Sequence, residues 1–235
     1  GEYLVLSQHL NKILAFDNSA GIIEVESGVL LDDILKVIVP QGFFLPVSPG
    51  TKFISVGGAL AADIHGKNHH IEGVFSDHVI SFRLLEAAGN ILEIVPGDDL
   101  FAQTAGGMGL TGFILSIRFK LKPIETAYIS QHAIRAKNLR EIFDLFEKNK
   151  DAPYSVAWID CFAEGDQLGR SVLLLGKHAK VAELSGKEPL KTHQSAALSI
   201  PFFFPSWILN SLTIKIFNWL YYQKPSSQGY STVHY

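Results

Sequence analysis

The stretch from residue 48 to residue 70 reads Ser-Pro-Gly-Thr-Lys-Phe-Ile-Ser-Val-Gly-Gly-Ala-Leu-Ala-Ala-Asp-Ile-His-Gly-Lys-Asn-His-His, and it narrows sharply what this chain can become. Pro49-Gly50 predicts a tight turn, since proline presets φ and glycine accepts a positive φ. Gly57-Gly58 offer main chain with no Cβ in the way, as a site needs when a large group must come close to the backbone. Asp63, His65, Lys67, His69 and His70 follow within a few positions. That combination points to an enzyme site built around a bulky bound cofactor.

The remainder predicts mixed sheet and helix without a regular βαβ alternation, an α+β chain. A strand is expected over residues 22–25. Leu31, Ile34, Leu35 and Ile38 then repeat at helical spacing, and Pro40 and Gly42 end that helix. Residues 79–87 and 91–95 flank Ala88-Gly89-Asn90 as a hairpin. Asp98 is expected to cap a short helix through Thr104. Phe113, Leu115, Ile117, Phe119 and Leu121 alternate with polar residues as a half-buried strand. After Pro123, the expected domain border, a helix with Leu139, Ile142, Phe143 and Phe146 on its apolar face precedes strands at 154–162 and 170–175. Residues 177–195 read as a mobile connection.

Hydrophobic residues make up 47% of the 235 and charged residues 18%, enough apolar surface for a sizeable core. A net charge of −3 gives no electrostatic case for nucleic acid, which wants a basic stripe. Cys161 is the only cysteine, so no intramolecular disulfide forms, and it reads as a small buried hydrophobe. No secretory signal or membrane-spanning run is visible. The chain opens on Gly1, its single Met is Met108, and residues 230–235 read as a strand barely begun, which together suggest a fragment.

Gly107-Met-Gly-Leu-Thr-Gly112 fits the G-x-G-x-x-G pattern, but a dinucleotide site of that kind needs a strand before it and a helix after it. Here a helix is expected before and a strand after, so the glycines read either as a turn or as backbone against a differently bound cofactor. His65 and His69 have the i,i+4 spacing of a metal-binding helix, yet Gly66 lies between them and no Cys pair or His-Glu-x-x-His pattern supports them. No metal site is expected.

Pro49-Gly50-Thr51, Ser55-Val56-Gly57-Gly58 and residues 63–70 resemble the flavin-contacting segment of FAD-linked oxidases with the vanillyl-alcohol oxidase fold. Residues 105–112, 155–160 and 168–170 match in the same order. The resemblance implies an FAD-binding domain over 1–123, lacking an upstream phosphate-binding loop, and part of an α+β substrate domain over 124–235. It implies FAD as cofactor, with contacts from Gly50, Ser55, Val56, Gly57, Gly58, Ala62, Asp63, Ile64, His65 and Ile114. It further implies oxidation of a sugar secondary hydroxyl to a ketone, on a polyprenylphosphoryl ribose used for bacterial cell-wall arabinan. A partner reductase would complete an epimerisation at a peripheral position on the inner membrane.

Moving a hydride from a secondary alcohol carbon to flavin N5 also requires the hydroxyl proton to be taken up or its charge stabilised. The imidazole of His65 suits the proton, and Lys67 suits a phosphate or hydroxyl anchor. Asp63 reads as a residue that orients the loop. Residues 200–222 carry dense aromatics, which suit either a lipid contact or an apolar packing surface of the substrate domain. Two alternatives stand beside the sugar oxidase: an FAD-linked oxidase of another polyol or sugar lactone, and a non-catalytic fragment that holds flavin weakly for want of pyrophosphate contacts.

Overall fold

A computed structural model describes residues 6–192, 203, 205–223 and 229–232. They fall into two compact units. The first spans the chain to Ala127 and takes back Lys180–Thr192; the second begins at Tyr128, runs to Ala179 and includes the later described residues.

The first unit contains β1 (Ile13–Asp17), β2 (Ile22–Glu26), α1 (Leu31–Ile38), β3 (Phe43–Phe44), α2 (Val56–Ala61), α3 (His69–Glu72), β4 (Val79–Leu85), β5 (Ile91–Ile94), α4 (Asp99–Thr104), β6 (Phe113–Lys120) and β7 (Lys122–Pro123). Its main sheet has the order β1-β2-β6-β4-β5, every neighbouring pair antiparallel. Leu31, Ile34, Leu35 and Ile38 bury one stripe of α1, and Gly42 ends the following 3-10 turn at φ 82°. These residues share one core with Ile23 and Val25 of β2, Leu60 of α2, Phe82 and Leu84 of β4, and Ile117 and Phe119 of β6.

Strand β6 departs from the alternation expected of it. Ile114 and Ser116 are buried while Leu115 is only half so, and the pairing with β4 jumps from Arg83↔Ser116 to Leu84↔Ile114. Leu115 is the extra residue of a bulge, which reverses the two faces at that point. Asp98 precedes α4 as expected, but its carboxylate accepts from the Val95 N–H at 2.9 Å and makes no bond into the helix. Gly50 does not take a positive φ, so the Pro49-Gly50 bend is not of the kind that demands glycine there.

The second unit contains β8 (Tyr128–Ala136), α5 (Leu139–Lys148), β9 (Tyr154–Ile159), β10 (Ser171–His178), α6 (Ser211–Gln223) and β11 (Gly229–Thr232), with sheet order β11-β8-β10-β9. Helix α5 packs Ile142, Leu145 and Phe146 on Ile134, Ala136, Ala157, Leu173 and Leu175. Leu139 and Phe143, assigned to that face from spacing, are exposed instead. Trp158 and Arg135, which pair with Val172 in register, point to the opposite face by period-two alternation. There Trp158 packs on Tyr221 of α6 at 4.6 Å between rings, and Tyr222 lies under Arg135 and Arg170.

Asp160 fixes the end of β9. Its Oδ2 pairs with Arg170 at 2.7 Å, and its Oδ1 accepts from the Phe162 N–H at 3.0 Å and from Asn218 Nδ2 at 2.6 Å. Burial pushes the carboxyl up; the Phe162 N–H, Arg170 and Asn218 more than offset that and hold it below the usual carboxylate value. Cys161 beside it is exposed rather than buried. Residues 180–192 are not a loose connection: Leu184 is buried, and Ala127 donates to the Pro189 carbonyl at 2.8 Å. Residues 193–195 and 233–235 lie outside the described residues.

Candidate functional site

The 48–70 stretch folds as a short helix between two fixed loops. Ser55 caps α2, its Oγ accepting from the Gly58 N–H at 3.2 Å. The Val56 and Gly57 N–H groups are spent on the Val29 and Ser27 carbonyls at 2.9 and 2.8 Å. The first turn of α2 therefore has no donor left for a phosphate. Gly57 is required by packing, since a Cβ there would stand 2.8 Å from Ser27 Cβ. Gly58 is exposed, and a Cβ there would meet only Ser55 Oγ at 3.1 Å.

Ala62 lies four positions after Gly58, so both occupy the same outward face of α2. Both are exposed, and His65 follows them, also exposed. That face is backbone and methyl only, a surface a flat ring system can approach closely. It fits a flavin.

The far end of α2 is closed by residues 105–112. Gly106 and Met108 donate to the Leu60 and Ala61 carbonyls at 3.2 and 2.8 Å. The glycines of this loop are set largely by backbone: Gly106, Gly109 and Gly112 take positive φ, and a Cβ on Gly107 would stand 2.1 Å from the Gln103 carbonyl oxygen. Helix α4 precedes the loop and strand β6 follows it, the reverse of a Rossmann turn. Met108 and Leu110 are exposed at its tip, and Ile114 is buried in the core.

Asp63 takes φ 41°, and its carboxylate accepts from the Ser76 N–H at 3.0 Å and the Ser76 hydroxyl at 3.1 Å. The other acids of this segment are engaged as well. Glu72 is ion-paired with Lys122, and Asp77 accepts from the Val74 N–H at 2.9 Å. His69 Nδ1 faces the Gly73 carbonyl at 3.2 Å, and His78 Nε2 faces that of Glu72 at 2.8 Å. His65 and Lys67 are both exposed, the His65 ring edge-on to that of His69 at 5.4 Å between centroids, and Gly66 between them is pressed against Ser48, where a Cβ would lie 2.4 Å from the carbonyl oxygen.

Of the residues expected to touch a cofactor, Gly50, Gly58, Ala62 and His65 are exposed, and Ser55, Gly57, Asp63 and Ile64 are half-buried. Val56 and Ile114 are buried, so they support the surface from behind. Sequence reasoning passed over Asn68. Its side chain is wholly buried; Nδ2 donates to the Pro46 carbonyl at 2.6 Å, and Oδ1 accepts from the Ser48 N–H at 3.4 Å. Asn68 ties the turn at 67–68 to the segment 46–48. An asparagine between two charged or titratable neighbours gives no local signal of such a role.

Residues 1–94 match the FAD binding domain family. Decaprenylphosphoryl-beta-D-ribose oxidase of Mycolicibacterium smegmatis is 38% identical over 92% of this chain and 48% of its own length. D-lactate dehydrogenase of Anaerostipes hadrus is 27% identical over 80% of this chain and 41% of its own. Among solved structures, an alkyldihydroxyacetonephosphate synthase superposes with a TM-score of 0.62 at 16% identity, over 74% of this chain and 38% of that one. The chain thus spans about half the length of these relatives, or less. Residues 1–94 thus carry an FAD binding domain, and the chain shares its fold with that synthase.

Proposed function

We propose that the complete protein oxidises a secondary hydroxyl of a sugar to a ketone, and that the sugar is the ribose of a polyprenylphosphoryl-β-D-ribose, at its 2′ carbon. The observation that carries this reading is the exposure of both His65 and Lys67 just after the bare face of α2, in a segment whose carboxylates are all engaged elsewhere. The similarity to the decaprenylphosphoryl-ribose enzyme across most of the chain supports the choice of sugar. In cell-wall arabinan synthesis such a keto product would pass to a partner reductase that completes an epimerisation at the inner membrane. The units act as an FAD-binding domain and the first part of a substrate domain.

When bound, FAD supplies a hydride acceptor at N5. Gly58 and Ala62 would leave room for it, Gly50, Ser55, Gly57, Asp63 and Ile64 would help hold it, and buried Val56 and Ile114 would support that surface. As the carbinol carbon is oxidised its hydroxyl proton must leave, and the His65 imidazole takes it up. Lys67 holds the substrate oxygen or phosphate by charge and also offsets negative charge that develops beside it.

His65→Ala and Lys67→Ala should each slow substrate-dependent flavin reduction by about 100-fold or more. Both side chains are exposed, so FAD content and melting temperature should not change. Stopped-flow reduction of the full-length variants checks this; turnover equal to the parent in both would remove these residues from the chemistry. Relatives named for a lactone and for lactate favour a second reading, another polyol or sugar lactone as substrate, which a substrate screen by the same assay separates from the first.

A further inference from the structure

Two imidazoles meet just after α2, and the reaction described above uses one of them. The rings of His65 and His69 lie 5.4 Å apart between centroids with 61° between their planes, an edge-on aromatic pair. Their i,i+4 spacing achieves this without a helix running between them. His65 pairs with Val74 in an isolated antiparallel bridge, and the Phe75 N–H bonds the Ile64 carbonyl at 2.9 Å. Residues 65–74 therefore form a loop closed at its base, and α3, which opens on His69, lies within that loop.

His69 is the clamped member of the pair. Its Nδ1 faces the Gly73 carbonyl at 3.2 Å. Only a protonated nitrogen bonds a carbonyl oxygen, so Nδ1 carries the proton and the neutral ring keeps its lone pair on Nε2. The main chain adds two bonds: the His69 N–H to the Gly66 carbonyl at 3.2 Å, and the Gly73 N–H to the His69 carbonyl at 2.9 Å. Gly73 makes the clamp possible. It takes φ 70° and ψ −138°, a conformation open essentially to glycine, and a Cβ there would lie 2.2 Å from Asp77 Oδ2. His65 is exposed, and an exposed imidazole keeps one rotamer only where a neighbour blocks the others. The fixed ring of His69 is such a neighbour.

We propose that His69 is a positioning residue, which acts through His65 by holding that imidazole in the orientation that receives the substrate's hydroxyl proton. The inference rests on the reading of His65 as proton acceptor. Stopped-flow flavin reduction in four full-length proteins tests it: the parent, His65→Ala, His69→Ala and the double variant. His69→Ala should slow reduction by about two- to tenfold, the worth of an aromatic pair, with KM unchanged. It should add nothing to His65→Ala. His69→Phe, which keeps a ring against His65, should recover part of the loss. His69 is exposed, so the melting temperature should hold throughout. Independently of activity, nitrogen NMR of the histidine-labelled full-length protein at alkaline pH should show an imidazole protonated at Nδ1 and bare at Nε2, lost in His69→Ala. If no such signal disappears, the clamp is absent and the proposal fails. Equal slowing in both backgrounds would overturn it, because His69 would then act without His65, and so would a His69→Ala protein as fast as the parent. A His65→Ala protein as fast as the parent would instead sink the reading of His65 itself, and this inference with it.

Discussion

Asp160→Ala should lower the stability of the second unit by about 3–5 kcal/mol, because it strands the Arg170 guanidinium without its partner. The side chains are 1% and 15% exposed, so solvent cannot take over the lost pairing. Asn218 loses its acceptor in the same step, and with it the buried anchor of α6. Asp160→Asn should cost less, since the amide oxygen still accepts from the Phe162 N–H while the charge pairing is gone. The folded carboxyl sits below its ordinary value near 3.8. Its contribution is therefore complete above that value and is lost as pH falls through the lower, folded one. Thermal melts followed by tryptophan emission check both claims, since Trp158 stacks on Tyr221 beside this network. A melt of Asp160→Ala equal to the parent's at neutral pH would contradict the account.

Gly58→Leu should weaken FAD binding by about 5- to 150-fold, since a side chain forced into an occupied contact costs about 1–3 kcal/mol. The fold should survive, because a Cβ at Gly58 meets only Ser55 Oγ, at 3.1 Å. The neighbouring Gly57→Ala should behave differently. Its Cβ would press on Ser27 at 2.8 Å and disturb the seating of α2, lowering the melting temperature as well as flavin content. Flavin titration with a parallel melt separates the two. Full FAD occupancy in Gly58→Leu would place the ring elsewhere than on this face.

The contrast between these adjacent glycines marks where sequence reading runs out. Their pairing signals close backbone approach, and the structure shows such an approach at Gly57, against Ser27. Only the fold tells that Gly57 approaches Ser27 within the protein while Gly58 looks outward. The same limit appears in β6, whose alternation of residue types is regular in sequence. The bulge at Leu115 comes from its register with β4, a long-range pairing that no window of β6 contains. In α5, spacing admits both Leu139 and Phe143 to the apolar face, but the sheet beneath reaches only Ile142, Leu145 and Phe146.

Features governed by local chemistry were legible. Leu31, Ile34, Leu35 and Ile38 form the buried stripe of α1 that their spacing requires. Gly89, at φ 89°, turns the hairpin between β4 and β5. The order of helix, glycine loop and strand around residues 105–112 excludes a Rossmann turn in sequence and in structure alike. The polar composition of residues 180–192 concealed Leu184, one buried side chain that is enough to fix the segment to the first unit. The aromatic density of residues 200–222 was plain, but which side of α6 would face outward depended on the Asn218–Asp160 bond, a contact across more than fifty residues.

The measurement that bears most directly on the whole account is the visible absorption spectrum of the full-length protein, recorded anaerobically before and after addition of polyprenylphosphoryl-β-D-ribose. The account predicts flavin bands in the isolated protein and their bleaching when the sugar is added. A protein that carries no flavin after incubation with FAD would contradict it.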